Sequence, residues 1–436
     1  MTRSIKSESA VRDYFFQPFR APKSDGAKQM VQEVIEKLQN YEKYFALRQR
    51  ARKEQDQLIF KETVAAIVCD AAHRYLERPD CKIAISLSHR KLGVQSRYRA
   101  SAMTKVLPVI VERLASPEMD FIEFTKGSRE LIEENEVDLR KSKWKGHATV
   151  IWPGKRLLDI INEHISDHDD FCISQSEEVI ILKAAKIIGK GSKRLEYTDD
   201  DYTNGSREKL RSINHWLERA NIDCMDTSSE PFIDVTKRRL RRVYHNGSFE
   251  EGGRLWGGFW INMKKEARLE TISIGEEAVT ELDYGQMGLR LLYGLMGKNP
   301  PDGDLYTIPG LENSREGVKT LIHSALNVPK LQTRMPKGAK EKFKDLVSFG
   351  TATSMIKDYH RAVSDQFFSN IGMKLNRIES DLLLEVLLKL KGQGIVALPI
   401  HDGLLVADPE HEAAMQVMKE TFQREIGVPV IVGIKG

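Results

Sequence analysis

Two aspartates, Asp283 and Asp402, stand where an acidic side chain can do chemistry. Asp283 closes the alternating run AVTELDY, and the chain turns at once into GQMGLRLLYGLM, which has helical character. Asp402 sits in LPIHDGLLVA, two apolar runs joined through His401, Asp402 and Gly403. A carboxylate at a strand end is held rigidly and opens on a cleft. Two such groups on one sheet suit a pair of Mg²⁺ or Mn²⁺ ions, one activating an attacking 3′-hydroxyl and one steadying a leaving pyrophosphate. Few protein ligands are needed, because phosphates and water supply the rest. Between the aspartates, in LENSREGVKTLIHSALNVPK, Arg315 and Lys319 are four apart on a predicted helix and share a face. Two cations on one face suit the β and γ phosphates of a nucleotide. Taken singly, each feature has a plain reading: a turn residue before glycine, a strand-end carboxylate, a solvated helix face. Their order along the chain favours the metal and phosphate roles.

The elements that must position these residues follow from pattern. Residues 1–58 read as a basic helical arm, with one long helix over GAKQMVQEVIEKLQNYEKYFALRQRARKEQ. Residues 59–165 read as helices, then the strand-like pieces DFIEFTKG and HATVIWP. SLSHRKLGV followed by SRYRASAMTKVLPVIVERLAS resembles a helix–turn–helix, so this segment is either a winged-helix-like DNA-contact domain or a plain packing domain. Pro108 kinks or shortens its second helix. Residues 166–235 read as a helical linker or reduced thumb, in which Asp199, Asp200 and Asp201 mark a helix N-terminus or a solvated loop. Residues 236–436 carry the chemistry.

Four short motifs in these last residues appear in a known order. DYGQMGLR, RxxxKTLI, the HD turn of LPIHDGLLV, and upstream NGSFEEGGRLWGGFWINMKKEAR resemble the palm and fingers of the single-subunit polymerase superfamily, which includes family A DNA polymerases and phage-type RNA polymerases. The resemblance implies that Asp283 and Asp402 bind the catalytic metals and that Arg315 and Lys319 hold the triphosphate. It implies that Tyr284 sits near the nucleotide, that Arg254 contacts the primer end, and that His401 braces it. Asn376 stands roughly where the family often has glutamine. Gly288 stands where DNA polymerases of this type carry a glutamate that blocks the ribose 2′-hydroxyl, which implies tolerance of ribonucleotides. His323 and Asn327 occupy places that usually hold an aromatic residue and a tyrosine, so base stacking and sugar selection depart from the pattern.

Bulk properties bound these readings. The chain has 436 residues, 67 basic against 63 acidic side chains, and an apolar fraction of 41%, adequate for real cores. No apolar run is long enough to span a membrane, and the N-terminus lacks a secretory apolar stretch, so a cytoplasmic location is expected. Cys69, Cys81, Cys172 and Cys224 are scattered without metal-site or disulfide spacing. Basic residues cluster at Lys237–Arg242, Arg140–His147 and Lys183–Arg194, as phosphate contacts require, although any one run is more simply a solvated face. Trp256, Phe259 and Trp260 are expected in the core.

The expected fold is α+β: a small antiparallel palm sheet backed by helices, short helical fingers, and a mostly helical N-terminal half. The expected activity is template-directed nucleotidyl transfer to a primer 3′-hydroxyl, with DNA primer-template or a single-stranded template and dNTP or NTP as partners. A primase-like role suits ribonucleotide tolerance. A non-catalytic DNA-binding replication initiator or regulator and a template-independent terminal transferase are the alternatives.

Overall fold

The computed structural model describes residues 14–133, 143–187, 189, 191–225, 233–344 and 347–435. They form two compact units, Met1–Glu178 and Val179–Gly436.

In the first unit, apolar residues recur at helical spacing from Ala27 through Met30, Val34 and Leu38, and the helix Asp25–Tyr44 buries that stripe. Its first turn is capped by the Ser24 hydroxyl, which accepts from the Ala27 amide at 3.1 Å. The expected long helix stops at Tyr44 because the chain reverses through Ala46, whose φ is +50°. It resumes as Glu54–Glu77, whose buried side chains include Phe60, Val64, Ile67 and Ala71. A four-stranded sheet lies in the same core, in the order Tyr14–Phe15, Ile83–Ile85, Thr149–Pro153, Ile122–Thr125. The two predicted strands of the 59–165 segment pair with each other, antiparallel, with Phe124 opposite Ile151. The predicted helix–turn–helix is not formed. Its helices are reduced to His89–Leu92 and Leu107–Leu114, with Pro108 in the first turn of the latter. Proline fits there because those amides have no intrahelical acceptor, so it starts the helix rather than kinking it.

In the second unit, one antiparallel sheet runs Ile222–Cys224, Ile272–Ile274, Glu277–Gly285, Gly403–Ala407, Ala397–Ile400. Ile431–Ile434 pairs with the C-terminal half of Glu277–Gly285. The helices Gly372–Gly392 and His411–Ile426 contribute Leu383, Leu387, Met418 and Phe422 to the core that also holds Leu282, Leu404 and Val406. A second sheet, Ser248–Trp256, Arg241–His245 and Ile180–Leu182, carries Arg254. The fold class is α+β, with strands and helices intermixed along the chain.

Asp200 caps the helix Asp201–Arg219, accepting from the Thr203 amide at 2.7 Å while its own amide donates to the Thr203 hydroxyl at 2.8 Å. The acidic triplet is therefore a helix start. Of the basic runs, Lys237–Arg242 turns inward: Arg238, Arg239 and Arg242 are buried. The Lys183–Arg194 run forms a hairpin in which Lys183 bridges Arg194 and Ile187 bridges Gly191; its Lys190 lies outside the described residues. Of the Arg140–His147 run, residues 140–142 lie outside the described residues, and Lys143–Gly146 pairs with Arg129–Glu133. Trp260 and Phe259 are buried as expected, whereas Trp256 is exposed. All four cysteines are free thiols. Among the described residues no helix is long and apolar enough to cross a membrane.

Candidate active site

The strand Glu277–Gly285 buries Val279 through Leu282 and emerges at Asp283. Leu282 pairs with Leu404, so Asp283 lies level with Gly403. Ile400 pairs with Gly403, which leaves His401 and Asp402 as the two-residue turn between the strands Ala397–Ile400 and Gly403–Ala407. His401 adopts the left-handed region at φ +53°, a conformation that histidine tolerates better than most side chains. Gly403 is required by close approach. A Cβ there would sit 2.4 Å from the Leu282 carbonyl and 3.3 Å from Asp283 Oδ1. With neighbouring strands about 4.8 Å apart, this register brings the two carboxylates to one end of the sheet.

The electrostatics of the pair are unbalanced. Burial, reinforced by the Asp402 charge, pushes the Asp283 carboxyl above its ordinary range, and Lys435 partly offsets both. Asp283 Oδ1 is buried without a hydrogen-bond partner. Asp402 makes no hydrogen bond or ion pair among the described residues. Two adjacent carboxylates with an orphaned oxygen fit a hard divalent cation such as Mg²⁺ or Mn²⁺. No group of three or more His, Cys, Asp or Glu able to hold a metal occurs among the described residues, so such ions would draw further ligands from phosphate and water.

The carboxylates border a cavity of about 660 Å³. On the helix Arg315–Leu326, Arg315, Lys319 and His323, with Asn327 just beyond, recur every fourth residue and all line it. Arg315 Nε donates to Asp304 at 2.7 Å and Nη1 to Glu316 at 2.6 Å, and its guanidinium lies 5.6 Å from the Tyr306 ring centre. Lys319 has no hydrogen-bonding or ionic partner among the described residues. Burial, with the Lys319 charge beside it, lowers the pKa of His323 below its ordinary value. Its Nε2 lies 3.1 Å from the Tyr306 hydroxyl. Asn327 donates to the His323 carbonyl at 2.8 Å, and a Cβ on Gly372 would collide with Asn327 Oδ1 at 2.2 Å.

The helix Gly372–Gly392 contributes Leu375, Asn376 and Glu379. Glu379 clamps Arg254 bidentately, Nε at 2.8 Å and Nη2 at 3.1 Å. Burial works against the Arg254 charge, but Glu379 outweighs it and holds the guanidinium pKa above its ordinary value. Gly288 lies in the first turn of the helix Met287–Leu295, where an added Cβ would meet only Leu326 Cδ1 at 3.8 Å. A Cβ there would make an ordinary van der Waals contact.

Ten of the eleven residues singled out in the sequence line this one cavity. Tyr284 does so without its phenol, which is buried against Phe422 and donates to the Met418 carbonyl at 3.0 Å. His401 is the exception: it is exposed outside the cavity lining, edge-on to Trp256 with ring centres 6.3 Å apart. The sequence reading missed Asp304, Tyr306, Glu379 and Lys435. Glu379 follows Asn376 by three on the same helix, a spacing that could have revealed it. Lys435 had no local signal. Its amide donates to the Glu281 carbonyl at 2.9 Å, which aims its ammonium to 3.2 Å from Glu281 Oε1 and 3.5 Å from Asp283 Oδ2.

No protein-family model matches the sequence, and no curated protein does. Among solved structures, the chain is similar to the POL domain of Pol1 from M. smegmatis in complex with DNA primer-template and dNTP, at 15% identity over 58% of this chain and 57% of that chain. The chain thus spans somewhat over half the length of that structure, and at a TM-score of 0.29 the likeness does not establish a shared fold.

Proposed function

We propose that the second unit is a nucleotidyltransferase that adds nucleotides to a 3′-hydroxyl under the direction of a template. The observation that carries the reading is the pair Asp283 and Asp402, deficient in positive charge, bordering the same cavity as the unpartnered Lys319. Asp283 and Asp402 would hold two Mg²⁺ or Mn²⁺ ions, which when bound supply an activated 3′-hydroxyl and neutralisation of the leaving pyrophosphate. Lys319, with no partner among the described residues to give up, binds the β and γ phosphates. Arg315 does so at the expense of its contacts with Asp304 and Glu316. Arg254, oriented by Glu379, steadies the primer end. The absence of a side chain at Gly288, which lines the cavity, leaves room for a ribose 2′-hydroxyl, so the site takes ribonucleotides as well as deoxyribonucleotides. His323 presents its ring to the base or sugar.

The test is primer extension on a defined template with dNTPs and NTPs supplied separately, comparing wild type with Asp402→Asn, alongside Mn²⁺ binding followed by electron paramagnetic resonance. Template-complementary products that disappear in the variant, together with weakened Mn²⁺ binding, support the proposal. Extension that ignores the template would mean terminal transfer. Sequence-specific duplex binding without incorporation would mean an initiator or regulator.

A further inference from the structure

The connection between the helices Asp25–Tyr44 and Glu54–Glu77 of the first unit carries an unusual surface. Tyr44 is 82% exposed, Phe45 44% and Leu47 43%. Over residues 43–53 the chain holds Lys43, Arg48, Arg50, Arg52 and Lys53 and no acidic residue. Arg52 is used internally, donating to the buried Glu42 at 2.6 Å and lying 3.7 Å over the Phe60 ring. Glu42 also pairs with Arg113. Lys43, Arg48, Arg50 and Lys53 remain exposed and meet no acidic partner among the described residues.

The segment is ordered by its own backbone. The Phe45 amide donates to the Tyr41 carbonyl at 3.1 Å, that of Ala46 to Lys43 at 3.2 Å, and that of Leu47 to Glu42 at 2.9 Å. The Phe45 ring centre lies 4.8 Å from that of Tyr41 and 4.9 Å from that of Tyr44, edge-on to the latter. Two exposed rings are therefore held in place at low entropic cost beside four unneutralised cations. Burying the rings in a protein partner would also bury those charges, whereas a polyanion with unpaired bases satisfies both.

We propose that this surface binds single-stranded nucleic acid, Tyr44 and Phe45 stacking on bases while Lys43, Arg48, Arg50 and Lys53 meet the phosphates. A duplex keeps its bases stacked on each other and offers the rings nothing, so single strands are preferred. Association is read without catalysis, so the proposal stands or falls independently of the nucleotidyl-transfer reading.

The test is fluorescence anisotropy of a short labelled oligothymidylate with the full chain, on the Asp402→Asn background, against a duplex of equal length. Tyr44→Ala with Phe45→Ala should weaken single-strand binding roughly five- to hundredfold. Arg48→Ala with Arg50→Ala removes one exposed hydrogen bond, Arg48 Nε to the Arg50 carbonyl at 3.1 Å, and should lower the salt-dependence slope by about 0.7 for each lost phosphate contact. Thermal melting of both variants should match wild type. Wild-type affinity in both variants, or an equal loss of duplex affinity in them, would overturn the proposal. So would self-association abolished by Tyr44→Ala, which would make a second copy the occupant, or capture by anionic vesicles with no oligonucleotide binding.

Discussion

Two sets of cations in the second unit illustrate opposite uses of the same chemistry. The run Lys237–Arg242 has the highest local density of basic residues in that unit and most resembles a phosphate-binding stripe. Three of its four arginines are nevertheless spent inside. Arg238 donates to the carbonyls of Ala220 and Ile222, both at 2.7 Å. Arg242 reaches Asp381 at 2.5 Å, Ser206 at 3.1 Å and the Gly253 carbonyl at 3.0 Å. Arg315 and Lys319 are sparse by comparison, yet they line the cavity, and Lys319 has no internal partner among the described residues. Availability to a ligand depends on how many acceptors the fold supplies to each cation. Density along the chain does not report it.

Exchanging Arg242 for methionine breaks this contrast most severely. It strands the Ser206 hydroxyl in the core and takes one donor from the Gly253 carbonyl, which keeps the Ser380 hydroxyl. Asp381 keeps Arg377 and partial exposure to solvent, which limits the damage. The expected loss is about 3–4 kcal/mol in chemical denaturation. A loss under about 1 kcal/mol would place Arg242 among the dispensable cations.

His360 is a potential cation that the fold refuses altogether. Its ring is wholly buried, with the Tyr293 hydroxyl 3.0 Å from Nδ1 and the Leu305 carbonyl 3.0 Å from Nε2. Burial lowers its pKa from 6.5 to about 4. Between those values the unfolded chain binds a proton that the folded chain does not, so stability falls as pH drops through the window. The expected contribution is about 3 kcal/mol from this one group, at 1.36 kcal/mol per pKa unit. Comparing urea midpoints of wild type and His360→Gln at pH 7 and pH 4.5 checks it, and an identical pH dependence would refute it.

Lys319→Ala sharpens the comparison from the other side. Stability should move by less than about 0.5 kcal/mol, because nothing inside depends on the ammonium. Nucleotide kcat/KM should fall roughly ten- to hundredfold, the worth of a charged hydrogen bond. Steady-state kinetics with denaturation on the same sample separates the two effects.

The smallest effect concerns Lys435, an internal cation already beside Asp283. Lys435→Met should tighten Mn²⁺ binding roughly three- to tenfold, consistent with the modest value of a partly exposed ion pair. Weaker Mn²⁺ binding would show that the lysine supports the metal rather than competing with it.

Much of the candidate site was legible in local sequence. The Asp–Gly turn, the strand running into Asp283 and the four-residue spacing of Arg315 and Lys319 all report short-range geometry that side-chain periodicity encodes. The α+β class followed from the same signals. What the helix Asp25–Tyr44 packs on did not, because its apolar stripe is buried in the first unit's core by residues distant along the chain. The extent of the helix at Leu107–Leu114 was misread because proline at a first turn looks, in sequence, like proline inside a helix.

The sequence by itself determined which side chains are able to carry charge, turn a strand or cap a helix, since those properties belong to a few adjacent residues. Tertiary structure alone decided which of them meet. It set Gly403 against Asp283, clamped Arg254 onto Glu379, returned the last strand so that Lys435 reaches the carboxylates, and turned three arginines of the most basic run inward. The physical reason is that burial and Coulomb energy depend on distance in space, and strand register between distant segments sets that distance.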